Sequence, residues 1–260
     1  MTDRLVVEGL SVRFGGLAAV RSVSLRVAPG EIRGLIGPNG AGKTTVINAI
    51  TGAVRIESGR VLLDGGVVSG LPAHLISRRG IGRTFQHVEP FGEQSVLDNV
   101  RLGVGRHSAV GFLGAALATP RSRREEHAAT LEALAILERF ELIPYRDTPA
   151  AELPFGALKR MDLARALAAR PTLLLMDEPT SGMSESEADR AIAAARDLAG
   201  AQGITLLVVE HNMRVMMALA DSVTVMQNGA VIAEGAPGAI QRDRVVIDAY
   251  LGEEATDAVD

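Results

Sequence analysis

The chain has 260 residues, of which 47% are hydrophobic and none is cysteine, which allows a large buried core and excludes disulfides and thiolate chemistry. Its 27 basic and 31 acidic residues give a net charge of -4, so the composition argues against nucleic acid as a partner. The start of the sequence lacks the pattern of a signal peptide and no uncharged apolar run reaches the length of a membrane span, so we expect a cytoplasmic protein.

The first part of the chain is predicted to form short strands followed by a helix. Between residues 5 and 36, alternating apolar residues and a Pro29-Gly30 turn indicate antiparallel strands that lead into a buried strand at 32–36. A helix is predicted from residue 42 to about residue 51, closed by Gly52, and the next strand at 59–64.

The second part changes from helical to alternating periodicity. Apolar residues recur at helical spacing between about 95 and 170, which predicts a mostly helical insertion, with the arginine-rich run 121–124 as a solvated loop. Apolar strands at 172–176 and 204–209 flank a helix at 184–199, which is the pattern of a parallel sheet. Asn228-Gly229 between two short apolar runs predicts a closing hairpin.

A phosphate-binding loop is the most specific motif. Residues 37–44 match GxxxxGK[ST] between a predicted strand and a predicted helix. Glycines let backbone N–H groups surround phosphate oxygens, and Lys43, one of two lysines, can supply a compact charge to the β- and γ-phosphates. The Thr44 hydroxyl can bind Mg²⁺. The predicted nucleotide ligands are Gly37, Pro38, Asn39, Gly40, Ala41, Gly42, Lys43, Thr44 and Thr45.

Two carboxylates and a histidine follow apolar strands. Asp177 is predicted to hold Mg²⁺, directly or through water, and Glu178 to act as the general base on the attacking water. Taken alone, the two carboxylates are equally compatible with a strand that ends at an acidic turn, but the presence of the phosphate loop favours a catalytic role. His211 follows the strand 204–209 and is expected at the same sheet edge, although a single histidine there is more often a surface or capping residue.

These motifs, taken in order, resemble the ATP-binding cassette (ABC) ATPases. The resemblance rests on the phosphate loop, Thr84-Phe85-Gln86, Leu153-Pro154-Phe155-Gly156, the strand ending in Asp177-Glu178, and Glu210-His211. Residues 12–20, 83–87 and 249–252 are similar, more narrowly, to the ATP-binding subunits of branched-chain amino acid importers and their urea-type relatives. The similarity covers nearly the whole chain.

The resemblance implies a fold and a domain organisation. It implies an α/β P-loop NTPase fold with a RecA-like core of mostly parallel sheet, an N-terminal antiparallel β subdomain and a helical insertion. One cassette would span residues 1–260, with its core at 1–92 and 160–235, the helical subdomain at 93–159 and a C-terminal helical tail at 236–260.

The resemblance also implies residue roles. Phe14 would stack on the adenine, with core packing as the alternative. Gln86 would approach Mg²⁺ and the attacking water and link the site to the membrane partner, and His211 would contact the γ-phosphate. Gly156 belongs to the signature segment that closes over the ATP of a second copy. Pro154, Ala157 and Ser184 depart from the commonest pattern, since Pro154 stands where a serine hydroxyl would meet the γ-phosphate.

The implied function is ATP hydrolysis that drives import of branched-chain amino acids or a related small polar solute. The implied partners are transmembrane permease subunits, a second ATPase subunit (an identical copy or a paralogue) and an extracytoplasmic solute-binding protein, which would hold the chain at the cytoplasmic face of the plasma membrane. Two alternatives are a nucleotide switch for DNA repair, chromosome or ribosome work, and a cassette that binds ATP but hardly hydrolyses it. The single phosphate loop and the short spacing between Lys43 and Asp177 argue against the first.

Overall fold

The backbone divides into two compact units. The computed structural model describes residues 2–84, 88–105 and 120–257. One unit comprises residues 1–83, 172–178 and 203–260, and the other comprises residues 84–171 and 179–202. The domain boundaries expected from the sequence, at 92/93, 159/160 and 235/236, stay a prediction.

The first unit contains a four-stranded antiparallel sheet. Its strands are β1 (Leu5–Phe14), β2 (Leu17–Val27), β4 (Ser58–Leu63) and β5 (Gly66–Val67), in the order β2-β1-β4-β5. Leu5 and Val7 are buried, and so are Leu10 and Val12 beyond a register shift in β1, as expected for a sheet with one face on the core. The predicted antiparallel N-terminal strands are therefore confirmed.

The first unit also contains a six-stranded, mostly parallel sheet. Its strands are β3 (Ile32–Ile36), β6 (Ile81–Arg83), β7 (Leu173–Asp177), β8 (Thr205–Val209), β9 (Ser222–Gln227) and β10 (Ala230–Gly235). The order is β10-β9-β3-β8-β7-β6, and only β10 runs antiparallel to its neighbour. All residues of β3, β7 and β8 are buried. The carboxyl ends of these parallel strands meet at one sheet edge, where a ligand site is expected.

The first unit also contains helices. They are α1 (Lys43–Ile50), α2 (Ala73–Arg78), α7 (Met213–Leu219), α8 (Pro237–Ile240) and α9 (Arg244–Asp257). All of those described except α9 follow a strand. Val46 and Ile47 of α1 join Leu35, Leu175 and Leu207 of the parallel sheet in one hydrophobic cluster. This packing fixes the helix that opens at Lys43 against the centre of the sheet.

The second unit is helical. It contains α3 (Val96–Gly105), α4 (Pro120–Arg139), short 3₁₀ turns at Ile143–Tyr145 and Ala150–Glu152, α5 (Phe155–Ala168) and α6 (Glu185–Gln202). Helix α5 packs against α3, α4 and α6. Leu137, Phe140, Met161 and Leu163 are fully buried within this unit. The predicted helical insertion is thus confirmed in the residues that the structure describes.

One local prediction is wrong and one is confirmed. Residues 121–124 are not a loop but part of the first turns of α4, because Pro120 has the backbone angle that favours the first position of a helix. Asn228 and Gly229 both have positive φ, 50° and 80°, and join the antiparallel pair β9 and β10, as a two-residue hairpin turn requires.

Among the helices described, none is both long and apolar enough to cross a bilayer.

Candidate functional site

The phosphate loop spans the six residues between β3 and α1. A Cβ atom placed on Gly37 would lie 2.0 Å from the carbonyl oxygen of Met226, and one on Gly42 would lie 2.5 Å from that of Ala19. Gly42 also has φ 97°, in the left-handed region. Only glycine fits such backbone contacts without displacing the loop, so both positions need a residue without a side chain.

Lys43 is held on the inner side of this loop. Its Nζ donates to the carbonyl oxygens of Gly37 at 2.5 Å and Pro38 at 2.7 Å, and the residue is buried. The ammonium group is thereby fixed inside the curve of the backbone, where a bound anion would be. The positive end of α1, which starts at Lys43, adds to the same potential.

A cavity of about 450 Å³ opens beside the loop. It is lined by residues 39–45, Glu178, the Asn228-Gly229 turn, and Phe14 with its neighbours on β2. The volume is typical of small-ligand sites. Phe14 is 50% exposed, unlike a core residue, so its ring is available at the cavity wall. The predicted nucleotide ligands from Asn39 to Thr45 line this cavity, and Gly37 and Pro38 adjoin it through Lys43.

Asp177 ends β7 beneath the loop and is only 3% exposed. Its Oδ1 lies 3.4 Å from the Thr44 hydroxyl, and its Oδ2 lies 3.6 Å from Nη2 of Arg83. Burial raises the pKa of Asp177 above its ordinary value, against the lowering effect of the Arg83 charge. The adjacent Glu178 charge raises the pKa further, while Thr44 and Lys43 lower it. The site therefore concentrates negative charge that a cation would stabilise.

Glu178 reaches the cavity because the backbone turns directly after the strand. Its φ is 49°, an uncommon value for a residue with a side chain. Its N–H donates to the carbonyl oxygen of Val209 at 2.9 Å, which ties the turn to β8. Successive side chains of a strand point to opposite faces, so this left-handed turn lets both Asp177 and Glu178 serve one sheet edge.

His211 lies beside Glu178, as its position after β8 predicts. Its Nδ1 is 3.9 Å from Oε2 of Glu178 and 3.9 Å from Oε2 of Glu210. The imidazole is 59% exposed, whereas the Glu210 side chain is fully buried. The Glu210 carboxylate accepts from the backbone N–H groups of His211 and Asn212. Glu210 thus shapes the turn that presents His211, a role that sequence reasoning did not assign.

Arg83 is the second residue that sequence reasoning left without a role. It was used only as part of a family resemblance, yet it is the charged side chain nearest Oδ2 of Asp177 among the ion pairs that the described residues make. No local pattern marked it, because its contact with Asp177 depends on the pairing of β6 with β7. Burial lowers the pKa of Arg83, and the Asp177 charge opposes that shift.

The signature segment lies in the second unit. Pro154 precedes the first residue of α5, and Gly156 lies in its first turn. A Cβ atom on Gly156 would lie 2.5 Å from Oε1 of Glu187. Oε2 of that carboxylate accepts from the backbone N–H and the hydroxyl of Ser184, at 3.1 and 2.6 Å. These hydrogen bonds lower the pKa of Glu187. Ser184 and Glu187 form an S-x-x-E pair at the start of α6, a signal that sequence reasoning overlooked.

The remaining predicted ligand, Gln86, lies outside the described residues. The described part of the chain has no group of three His, Cys, Asp or Glu side chains that could form a complete protein cage for a metal. Mg²⁺ bound to nucleotides usually takes one or two protein oxygens and completes its shell with phosphates and water. The Thr44 hydroxyl and the Asp177 carboxylate fit that mode.

Comparison with known proteins places this arrangement in a family. Residues 20–181 match the ABC transporter family, and residues 230–256 match the family described as branched-chain amino acid ATP-binding cassette transporter. The chain belongs to the ABC transporter ATP-binding family. Its P-loop ABC ATPase fold, predicted from the motifs, is confirmed.

Relatives of this ABC subunit cover nearly all of its length. It is 40% identical over 249 residues to the high-affinity branched-chain amino acid transport ATP-binding protein BraF of Pseudomonas aeruginosa, which covers 96% of this chain and 98% of that protein. It is 39% identical, with the same coverage, to LivG of Escherichia coli K12, which carries the same description.

Solved structures of similar proteins support the same family assignment. The ADP conformation of MJ1267, an ATP-binding cassette of an ABC transporter, has a TM-score of 0.81 at 32% identity and covers 97% of this chain and all of that one. A nucleotide-free ATP-binding cassette from an ABC transporter has a TM-score of 0.79 at 32% identity, covering 96% of this chain and 99% of that one. The chain is therefore an ATP-binding subunit of an ABC transporter and an ATPase, and the alternative of a nucleotide switch outside transport is wrong.

Proposed function

We propose that this ABC subunit hydrolyses MgATP at the edge of its six-stranded sheet to drive import of branched-chain amino acids or a related small polar solute. The observation that carries the proposal is the joint position of the phosphate loop and the Asp177-Glu178 pair at one cavity, with His211 beside Glu178. The C-terminal match and the descriptions of BraF and LivG support the substrate class.

The loop and Phe14 bind and orient ATP in this proposal. Backbone N–H groups and the α1 terminus hold the phosphates, and Lys43 exchanges its bonds to Gly37 and Pro38 for phosphate oxygens. The exposed ring of Phe14 stacks on the adenine. Stacking contacts the face of the base and not its hydrogen-bonding groups, so selectivity among bases would be weak.

Thr44, Asp177 and Gln86 would hold Mg²⁺. When bound, the cation neutralises charge on the phosphate oxygens during transfer. The protein's part is to present oxygen donors in a fixed place. The separation of 3.4 Å between Oγ1 of Thr44 and Oδ1 of Asp177 is compatible with two ligands at one cation.

Glu178 acts as the general base. Its carboxylate lines the cavity and accepts a proton from the water that attacks the γ-phosphorus. His211, 3.9 Å away, orients this carboxylate and contacts the γ-phosphate. A base at that position makes no bond to the phosphate itself, so its loss should spare binding and slow the chemical step.

The proposed assembly is a dimer that closes on two ATP molecules. The signature segment with Gly156 approaches the ATP of the second subunit, which is an identical copy or a paralogue. Pro154 brings no hydroxyl, so backbone N–H groups at the start of α5 would make that contact. Transmembrane permeases then hold the dimer at the cytoplasmic face of the plasma membrane, and a solute-binding protein delivers the substrate.

Reconstitution tests the proposal. The chain would be co-purified with its permeases, placed in liposomes with enclosed ATP, and assayed for uptake of labelled leucine, isoleucine and valine in the presence of the binding protein. We expect uptake that is saturable and absent in Lys43→Ala. ATP hydrolysis without uptake of any of these, but with uptake of urea or another solute, would reject the substrate class and retain the ATPase mechanism.

Dilution tests the assembly. Hydrolysis per subunit should fall steeply when the purified chain is diluted below its dimer dissociation constant, and permeases should restore it. Activity per subunit that is independent of concentration, in a chain shown to be monomeric by light scattering, would indicate a complete site in one copy.

A further inference from the structure

Arg83 occupies a position that none of the motif roles explains. It is the last residue of β6, the edge strand that pairs in parallel with β7, and its partner there is Leu175, two residues before Asp177. The side chain is 14% exposed. A guanidinium group this deeply buried needs several hydrogen-bond partners to offset its lost hydration.

The guanidinium group joins two parts of the candidate site. Nη1 donates to Oδ1 of Asn48 at 2.6 Å and lies 3.4 Å from Oγ1 of Thr51. Asn48 belongs to α1, the helix that opens with Lys43 and Thr44, and Thr51 ends it. Nη2 lies 3.6 Å from Oδ2 of Asp177. One rigid side chain therefore spans the phosphate-loop helix and the carboxylate at the end of β7.

The two oxygens of Asp177 have different neighbours. Oδ1 is the atom near the Thr44 hydroxyl, and Oδ2 is the atom near Arg83. An ion pair at one oxygen of the carboxylate favours the rotation about the Cβ–Cγ bond that keeps Oδ2 toward Arg83. The other oxygen then stays directed toward Thr44.

We propose that Arg83 is a positioning residue for the cation: it fixes Oδ2 of Asp177 and leaves Oδ1, with the Thr44 hydroxyl, to bind Mg²⁺. This rests on the proposed function, which places Mg²⁺ at these two residues. Partners of metal ligands typically account for about 10- to 100-fold in metal affinity. The hydrogen bond to Asn48 keeps Arg83 in place when Mg²⁺ binds Asp177, because the guanidinium group does not depend on Asp177 alone.

A purely electrostatic role of Arg83 predicts the opposite effect. Its positive charge near the site repels Mg²⁺, so removing it could tighten metal binding. The direction of the change in affinity therefore separates a positioning role from simple competition for Asp177.

The experiment measures metal binding directly. Mn²⁺ would stand in for Mg²⁺, and its binding in the presence of saturating ADP would be measured by electron paramagnetic resonance. Metal-free nucleotide affinity would be measured separately, by titration of a fluorescent ATP analogue in EDTA. The variants are Arg83→Met, which keeps an unbranched apolar stem but removes the charge, and Arg83→Lys, which keeps the charge without the planar fork. Arg78→Met on exposed α2 is the matched control.

We expect Arg83→Met to raise the dissociation constant for Mn²⁺ by about 10- to 100-fold, and Arg83→Lys by less, with metal-free nucleotide affinity within about threefold of wild type. Unchanged or tighter Mn²⁺ binding in folded Arg83→Met would overturn the proposal. If that variant does not fold, Asn48→Ala, which removes the anchor on α1, must raise the constant at least about threefold or the proposal fails. Absence of nucleotide-dependent Mn²⁺ binding by the wild-type chain would instead reject the proposed metal site itself.

Discussion

Nδ1 of His211 lies 3.9 Å from Oε2 of Glu178, at the point where two neighbouring parallel strands end. Changing Glu178 to Gln keeps the shape of this pair and removes the acceptor charge. We expect MgATP still to bind while hydrolysis falls by about 10² to 10⁴, the usual contribution of a general base. Phosphate release and size-exclusion chromatography with MgATP measure both effects, and a long-lived ATP-bound dimer should appear. Near-normal hydrolysis would assign activation of the water to another group, with His211 the first candidate.

Asp177→Asn should act on the metal rather than on the water. The variant keeps a side chain of the same size beside Thr44 but loses the charge that attracts the cation. We expect the gain in nucleotide affinity that Mg²⁺ provides to shrink, while affinity in EDTA stays near that of wild type. Titration of a fluorescent ATP analogue with and without Mg²⁺ measures this difference. An unchanged Mg²⁺ effect would remove Asp177 from the metal site.

Phe14→Ala tests the base-stacking role. The ring is half exposed at the cavity wall, so its removal leaves no buried hole and should hardly affect folding. Loss of one aromatic–base stack should weaken ATP binding by about 1 to 3 kcal/mol. Leu17→Ala, an exposed residue of the same cavity, is the control for lost surface. Equal ATP dissociation constants for Phe14→Ala and wild type would contradict stacking.

Gly37→Ala tests the close approach of the phosphate loop to β9. The new methyl group would lie 2.0 Å from the carbonyl oxygen of Met226. This oxygen belongs to the backbone of β9, which cannot easily move away. We expect a loss of about 1 to 3 kcal/mol in unfolding free energy, as for other overpacked sites, together with at least about tenfold weaker ATP binding. Gly200→Ala, on α6 with open space around it, should be neutral or slightly stabilising. Urea unfolding and ATP titration of both variants would decide.

Asp162 predicts a pH dependence of stability. Burial raises the pKa of this carboxyl above its ordinary value of 3.8, although the Arg165 charge and hydrogen bond and the Lys159 charge lower it. The folded state therefore binds the proton more tightly than the unfolded state, so this contribution to stability is present below pH 3.8 and is lost as the pH rises through the folded pKa. Asp162→Asn keeps an acceptor for Arg165 and does not titrate. The unfolding free energy of the variant minus that of wild type should increase from pH 4 to pH 7 in urea titrations, and a decrease would contradict the shift.

Local patterns predicted much of this fold and site. The strand at Ile32–Ile36, the helix after Gly42 and the Asn228-Gly229 turn were predictable because each depends on neighbours within a few residues. Asp177 and Glu178 were predictable for a similar reason, since an apolar strand that ends in carboxylates indicates a sheet-edge site.

Other features depend on distant contacts that no local pattern encodes. Arg83 meets Asp177 only because the three-residue strand β6 pairs with β7 in one register. A strand that short has too few side chains to indicate its register from sequence. The arginine-rich run at 121–124 was wrongly predicted as a loop because charge suggested solvent, whereas Pro120 at the start of α4 favoured a helix.

The hairpin between β9 and β10 has a consequence for synthesis of the chain. The turn at Gly229 accepts a hydrogen bond from Arg21, donates one to Ala41, and lies against the Ala19 carbonyl, while Met226 adjoins Gly37. The ribosome makes this hairpin nearly 190 residues after the phosphate loop, which is about 10 to 40 s at ordinary elongation rates. During that interval the nascent loop lacks the backbone that supports it, so the emerging chain should acquire affinity for ATP only once the hairpin of β9 and β10 has been translated.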